Sequence, residues 1–159
     1  MRVGIGYDSH RFDEDRPLVL GGVRIPDVPG LAGHSDGDAV THAVADAVLG
    51  AAGRGDIGQW FPPDDPRWKG ADSLELLRKI TAALAGDGLR VGNVDVTVVC
   101  ERPRIAPHAA GMRDRLSNAL GVPAGSVSIK GKSNEGLGWI GRAEGIAAMA
   151  VALVLPADD

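Results

Sequence analysis

The chain has 159 residues, 44% of them hydrophobic and 24% charged, with a formal net charge of −4. That length suffices for one domain burying roughly 70% of its unfolded surface, so neither a disulfide nor a structural metal is needed merely to keep it folded. A lone cysteine, Cys100, excludes an internal disulfide and suits a reducing cytoplasm, the acidic balance argues against general nucleic-acid binding, and no apolar run approaches the roughly 18 residues of a membrane helix.

The opening MRVGIGYDSHRF lacks the apolar stretch and cleavage site of a signal peptide. Residues 2–8 alternate, with Val3, Ile5 and Tyr7 on one side, and predict a strand. Leu18–Val23 predicts a second short strand, bounded by Pro17 and by Pro26 beyond. Gly30–Gly37 is polar and reads as a loop, and Asp38–Gly53 as a helix ended by glycine. A long proline- and tryptophan-bearing loop covers 54–71, a length that in compact domains usually serves function. Asp72-Ser73-Leu74-Glu75 has the form of a capping box opening a helix to about Ala85. Leu89–Val99 predicts a strand, 101–107 a loop, and 109–120 a third helix closed by Gly121. A short strand at Val127–Lys130 and a glycine-rich loop at 131–143 follow. In Gly145–Leu155 the alternation of Val151, Leu153 and Leu155 favours a strand over a helix. No repeat or linker divides the chain, so 1–159 is expected to be a single domain. The order predicts an α+β fold, a mixed β-sheet with helices packed on one face. The other face then needs a cover, and self-association supplies one.

Asp8 and His10 are two residues apart at a strand end, so both side chains point to one face while Ser9 points to the other. In the helix that follows, Val40, Val44 and Val48 form a core stripe. Asp38, His42 and Asp46, spaced by four, lie on another, and neither lysine nor glutamate occurs between Asp38 and Gly53 as a solvated face would favour. Asp8, His10 and His42 together make a mixed nitrogen and oxygen set of three, the open arrangement of catalytic zinc, which other divalent transition metals also accept. Asp46 or Asp38 is the expected acceptor for the second ring N–H of His42.

The run His34-Ser35-Asp36-Gly37-Asp38 precedes that helix. Ser35, Asp36 or Asp38 can cap it, and its free N–H groups can receive an anion. Histidine is a poor cap, which leaves His34 free for another role. Residues 130–142 place Lys130, Lys132, Ser133 and Arg142 in a glycine-rich loop able to cradle phosphate, without the spacing of a Walker loop. Glu135 inside that basic loop makes sense as the holder of a second, hard cation such as magnesium. The rigid segment 100–107 exposes main chain that can read a base edge.

These residues resemble the 2-C-methyl-D-erythritol 2,4-cyclodiphosphate synthase family of the non-mevalonate isoprenoid pathway. The likeness runs nearly end to end, through G-x-D-S-H-R-F at 6–12, L-G-G-V-x-I-P at 20–26, H-S-D-G-D-A-x-x-H at 34–42, G-D-I-G at 55–58, F-P-x-x-D-P at 61–66, K-G-A-D-S at 69–73, V-D-V-T at 94–97, R-P-R-I-x-P-H at 102–108 and E-G-L-G-x-x-G-R-x-E-G at 135–145. The resemblance implies a phosphorus–oxygen lyase that closes 4-diphosphocytidyl-2-C-methyl-D-erythritol 2-phosphate into the cyclic 2,4-diphosphate and releases CMP. It implies one Zn2+ per subunit on Asp8, His10 and His42, and Mg2+ or Mn2+ held by Glu135 against the substrate diphosphate. His34 and Ser133 would stabilise the transition state. Substrate contacts would come from Asp8, His10, His34, Ser35, Asp56, Ile57, Gly58, Phe61, Asp65, Lys132, Ser133, Glu135, Trp139 and Arg142, with Cys100, Pro103, Arg104, Ile105 and Ala106 receiving cytosine. It also implies a cytoplasmic homotrimer with active sites between subunits, its sheet faces packed together, and no nucleic-acid or membrane partner.

The chain departs from the family pattern at Ser9, where valine is usual, at Pro63 for aspartate, at Gly131-Lys132-Ser133-Asn134 for Ala-Thr-Thr-Thr, at Arg104 for lysine, and at Ala143 for glycine. Ser133 keeps a hydroxyl and Lys132 adds a charge that can meet phosphate. Two rival readings are a metal-dependent phosphohydrolase, in which the metal activates water, and a non-catalytic nucleotide-binding trimer. A product assay separates the first from a cyclase, and a metal requirement for turnover separates the second.

Overall fold

Residues 2–20, expected to hold two separate strands, form one long strand, β1 (Arg2–Leu20), in a computed structural model that describes residues 1–158. Gly21 and Gly22 then turn the chain with φ of +54° and +73°, a conformation open to glycine at little cost. The partner strand β2 (Val23–Leu31) returns antiparallel, so the expected strand Leu18–Val23 is the two arms of a hairpin with its turn in the middle. β2 also takes in the first residues of the expected Gly30–Gly37 loop.

The helix expected at 38–53 is α1 (Ala39–Ala52). Asp38 caps it by accepting from the Thr41 N–H, and Gly53 closes it in the left-handed conformation. The long loop after it contains a single-turn helix, α2 (Ile57–Trp60), and a 3₁₀ turn at Pro66–Trp68. α3 (Ser73–Gly86) is capped by Asp72, which accepts from the Leu74 N–H. The reciprocal arm of the expected capping box is not made, because Glu75 pairs with Arg78 instead. β3 (Leu89–Val99), α4 (Ala109–Leu120) and β4 (Val127–Lys132) follow. A one-turn helix, α5 (Gly138–Gly141), interrupts the glycine-rich loop, and β5 (Gly145–Pro156) is the strand its alternation predicts.

The strands lie in the order β2-β1-β5-β3-β4. β3 and β4 are parallel, joined across α4, and the other neighbours are antiparallel. The fold is thus α+β with a mixed sheet. β1 pairs with β5 over Arg2–Arg11 and with β2 from Phe12 onward, so it changes partners one residue after Arg11. Val40, Val44, Val48, Leu77, Ile80, Leu84, Met112 and Leu116 bury completely or nearly so between helices and sheet, each aliphatic side chain stabilising by about 1.5–3 kcal/mol. The face of β1 and β5 turned from the helices exposes the directly paired Ile5 and Val151, and Tyr7 and Met149, with Val3 beside them.

Two glycines bring α1 onto β1. A Cβ at Gly4 would stand 2.0 Å from the Ala47 carbonyl oxygen, and one at Gly6 2.0 Å from that of Ala43. Backbone therefore meets backbone at positions 4 and 6, and the next inward positions, 8 and 10, face the first turns of α1. The sheet period and the helix period converge there on Asp8, His10 and His42.

Candidate active site

Asp8, His10 and His42 offer ligand atoms that all lie within 4.8 Å of one another. Asp8 Oδ2 is 2.8 Å from His10 Nε2 and 3.1 Å from His42 Nδ1. The His10 contact is not aligned as a hydrogen bond, so Nε2 is buried without a hydrogen-bonding partner, an arrangement that costs stability unless something else meets the atom. Two imidazole nitrogens and a carboxylate brought together, one nitrogen with no hydrogen bond in the protein, fit a divalent cation. Burial opposes the charge on Asp8, but the two imidazoles of His10 and His42 beside it outweigh that cost and hold its carboxyl below the usual range. Burial likewise opposes charge on His42, and Asp8, followed by Asp38 and Asp36, outweighs it and raises the imidazole above its ordinary value.

The expected acid partners of His42 are occupied elsewhere. Asp38 is wholly buried and accepts from the N–H groups of Gly21, Gly22 and Thr41 and from the Thr41 hydroxyl. Burial and the nearby Asp36 push its carboxyl up despite those donors. It therefore joins the hairpin turn to the start of α1. Asp46 accepts from the Ile57 N–H and anchors α2. His42 Nε2 faces Ser73 Oγ at 2.8 Å and Ser35 Oγ at 3.0 Å. The Asp38–His42–Asp46 stripe is thus neither a solvated face nor a ring-bonding pair. It is three separate anchors.

Around the cluster lies a cleft of about 340 Å³ lined by Asp8, His10, His34, Ser35, His42, Ile57, Gly58, Phe61, Pro63, Trp68 and Leu76. His34 Nε2 sits 3.2 Å from the Asp65 carbonyl oxygen, and Arg16 clasps its loop through the carbonyls of Gly33 and Ser35. Asp56 caps α2 through the Gln59 N–H and is exposed. Asp65 caps the 3₁₀ turn, and hydrogen bonds from Arg67 hold its carboxyl below the ordinary range. Trp68 packs edge-on against Phe61, with centroids 4.9 Å apart. Sequence reasoning missed Trp68, Leu76 and Ser73. Their spacing carries no signal, since α3 and the proline loop are brought over α1 only by tertiary folding.

A second cleft, about 380 Å³, is lined by Cys100, Glu101, Pro103, Arg104, Ile105, Ala106, Gly131, Lys132 and Ser133. The segments read as a base reader and a phosphate loop are therefore neighbours, through parallel pairing of β3 with β4. Glu101, also unforeseen, organises the rim by accepting from the N–H groups of Asn134 and Gly136. Glu135 sits at φ +52° and accepts from the Ser133 hydroxyl at 3.0 Å. Burial, with the charge of Glu101, pushes the Cys100 thiol up to about 11. Trp139 lies in a smaller hollow with Ser9, His10, Arg11 and Glu144, while the exposed Arg142 pairs with Glu144. Within one chain, His34 and Ser133 line different clefts.

A family model described as the YgbB family matches residues 1–155. The chain is 57% identical over 155 residues to 2-C-methyl-D-erythritol 2,4-cyclodiphosphate synthase of Gemmatimonas aurantiaca, covering 98% of this chain and 93% of that protein. Among solved structures it resembles the bifunctional IspDF from Campylobacter jejuni with a TM-score of 0.94 at 36% identity, over 99% of this chain and 43% of that one. It also resembles Plasmodium falciparum IspF in its CDP complex, TM-score 0.85 at 35% identity, over 98% of this chain and 96% of that one. No helix among the described residues is long and apolar enough to cross a membrane.

Proposed function

Because the chain belongs to the YgbB family, whose members include 2-C-methyl-D-erythritol 2,4-cyclodiphosphate synthases, we propose that it converts 4-diphosphocytidyl-2-C-methyl-D-erythritol 2-phosphate to 2-C-methyl-D-erythritol 2,4-cyclodiphosphate and CMP. The observation that carries this reading is the Asp8, His10 and His42 cluster at the floor of the first cleft, set in a chain 57% identical to a named synthase.

The reaction is an intramolecular phosphoryl transfer. An oxygen of the 2-phosphate forms a bond to the β-phosphorus, the bond from that phosphorus to the bridging oxygen breaks, and the bridging oxygen leaves on CMP with the electron pair. Both reacting groups are anionic and belong to one molecule, so the protein must fold the substrate and offset repulsion. It needs no nucleophile of its own. Asp8, His10 and His42 would hold the zinc ion, and Glu135 a magnesium or manganese ion, which when bound supply positive charge against the phosphates and their developing charge.

The remaining work falls to side chains. Ile57, Gly58 and Phe61 form an apolar wall fit for the methylerythritol carbons, with Asp56 beside them for its hydroxyls. His34, with Ser35 next to it, reaches into the cleft beside the metal cluster. The second cleft suits cytosine, whose edge would meet the main chain between Cys100 and Ala106, while Lys132 and the Ser133 hydroxyl meet the diphosphate. The CDP complex of the Plasmodium falciparum relative supports a cytidine diphosphate ligand.

One substrate must touch both clefts, which in a single chain have separate linings. We therefore place the active site between subunits, the first cleft of one copy against the second cleft of the next, in the homotrimer that the family resemblance implies. The exposed Val3, Ile5, Tyr7, Met149 and Val151 form the sheet face such an assembly would cover.

Phosphorus NMR of the protein with this substrate and magnesium, alongside metal analysis, tests the reading. Two coupled cyclic diphosphate resonances, free CMP and about one zinc per chain are expected. Release of inorganic phosphate would make the protein a hydrolase, and no turnover by metal-loaded protein would remove the activity altogether.

A further inference from the structure

His42 turns Nδ1 toward Asp8 and Nε2 toward α3, where Ser73 Oγ stands 2.8 Å away. Ser73 is wholly buried at the first residue of α3. Asp36 grips it twice, accepting from the Ser73 hydroxyl through Oδ1 and from the Ser73 N–H through Oδ2 at 3.0 Å. Asp36 Oδ1 also accepts from the Asp38 N–H at 3.1 Å. With three donors converging on it, the Asp36 carboxylate acts only as an acceptor.

A hydroxyl has one proton to give. Ser73 gives its proton to Asp36, so only lone pairs remain to face His42. A bare Nε2 would set lone pair against lone pair at 2.8 Å. Nε2 must carry the proton and donate it to Ser73 Oγ. With that proton fixed on Nε2, Nδ1 is the nitrogen left for a cation: without one it donates to Asp8 at 3.1 Å, and a bound cation would replace the Nδ1 proton where Asp8 and His10 converge. A ring protonated on Nε2 alone is the form a metal-binding imidazole requires. Ser35 Oγ, 3.0 Å from Nε2 and itself 3.5 Å from the Gly37 N–H, lies within reach of the same ring proton.

We propose that Asp36 and Ser73 are positioning residues that hold a ring proton of His42 on Nε2, so that Nδ1 is the nitrogen given to the cation, and thereby set the affinity of the Asp8, His10 and His42 cluster for its divalent cation. The inference rests on reading that cluster as a metal site. It gives Asp36 and Ser73 a role acting through His42, without contact with substrate.

The test uses the full-length protein and zinc. In protein labelled with nitrogen-15 at histidine and loaded with zinc, long-range proton–nitrogen spectra should show His42 Nε2 bearing a slowly exchanging proton. In chelator competition, Asp36→Asn and Ser73→Ala should each weaken zinc binding by roughly 10–100-fold, and Ser73→Thr, which keeps the hydroxyl, should restore it. Ser73→Ala should also speed exchange of the His42 ring proton, which loss of α3 packing alone would not single out. A proton-free Nε2 in the zinc-loaded protein, or zinc affinity unchanged in both variants, overturns the proposal while leaving the metal site standing. Failure of the unaltered protein to bind zinc overturns both.

Discussion

The two clefts are built in opposite ways. The metal cleft stands on regular structure: β1 supplies Asp8 and His10, α1 supplies His42, and Gly4 and Gly6 hold the two elements at backbone contact. The second cleft is made from the connections after β3 and β4, its rim tied by Glu101 to exposed amides, its charged Arg104, Lys132 and Glu135 all in solvent. A metal ion demands fixed ligands within a fraction of an ångström, so rigid elements suit it. A nucleotide presents many weak contacts and must also be released as CMP, so loops suit it. Changes in the first cleft should therefore act through geometry and those in the second through single contacts.

The largest effect is expected from His42→Ala. Removing a ligand from the rigid cleft should abolish zinc loading and lower kcat/KM by about 10³-fold or more, the several kcal/mol that metal catalysis supplies. Circular dichroism should still report a folded protein, because His42 is not part of the apolar core. Unfolding of this variant on metal loss would make the site structural and erase the contrast between the clefts.

Gly6→Ala sharpens the comparison without touching a ligand. Its Cβ would fall 2.0 Å from the Ala43 carbonyl oxygen and 2.7 Å from the Ala47 N, so α1 must move off β1. Overpacking of this kind costs about 1–3 kcal/mol, measurable by urea unfolding, and the shift should carry His42 away from Asp8 and weaken zinc binding. Gly125→Ala, where an added Cβ meets nothing within 4 Å, is the neutral reference. Unchanged zinc affinity in Gly6→Ala would show that the ligands do not depend on helix-to-strand spacing.

This dependence on spacing also explains what could be read from the sequence. Asp8, His10 and His42 were legible because periods of 2 and 3.6 place them locally, and α1 was legible because Asp38 and Gly53 mark its ends. The Gly21-Gly22 turn was a local signal too, and it was overlooked because the apolar residues on either side of it, Leu18, Leu20 and Val23, read as one strand. Ser73 as the partner of His42 was not legible. It lies 31 residues away and arrives only when α3 docks on α1. Asp46 and Asp38 looked like the natural acceptors for the ring because carboxylates are the common partners, yet each accepts from a backbone N–H instead. The joining of residues 100–106 to 131–133 likewise followed from β3–β4 pairing, which no spacing announces.

In the second cleft, Lys132→Ala should act as the loss of one contact. Lys132 is exposed and is not part of the apolar core, so stability should stay within about 0.5 kcal/mol. A charged hydrogen bond to phosphate contributes about 1.5–3 kcal/mol, so CDP affinity should fall roughly 10- to 100-fold, by calorimetry, with zinc affinity unchanged. A parallel fall in zinc affinity would mean the two clefts are mechanically coupled.

The smallest effect concerns a point where the loop cleft rests on the core. Cys100 follows β3 directly, is buried, and lines the cleft with its Sγ 3.4 Å from the Pro103 carbonyl oxygen. Its thiol sits at about 11, raised by burial and by Glu101. The thiolate is the reactive form, so at pH 8 only about one part in 10³ is reactive, against roughly a quarter for an ordinary exposed cysteine. Alkylation by iodoacetamide should therefore be slow, rise about tenfold per pH unit through pH 10, and level only near 11. Glu101→Gln removes the charge that contributes to the shift and should speed alkylation at pH 8. It also weakens the hold on the Asn134 and Gly136 amides, so the same variant should loosen CDP binding. Rapid alkylation at pH 8 in the unaltered protein would mean that solvent reaches Cys100 despite its burial, and the division between the cleft built on strand and helix and the cleft built on loops would then run deeper into the sheet than the packing of β3 implies.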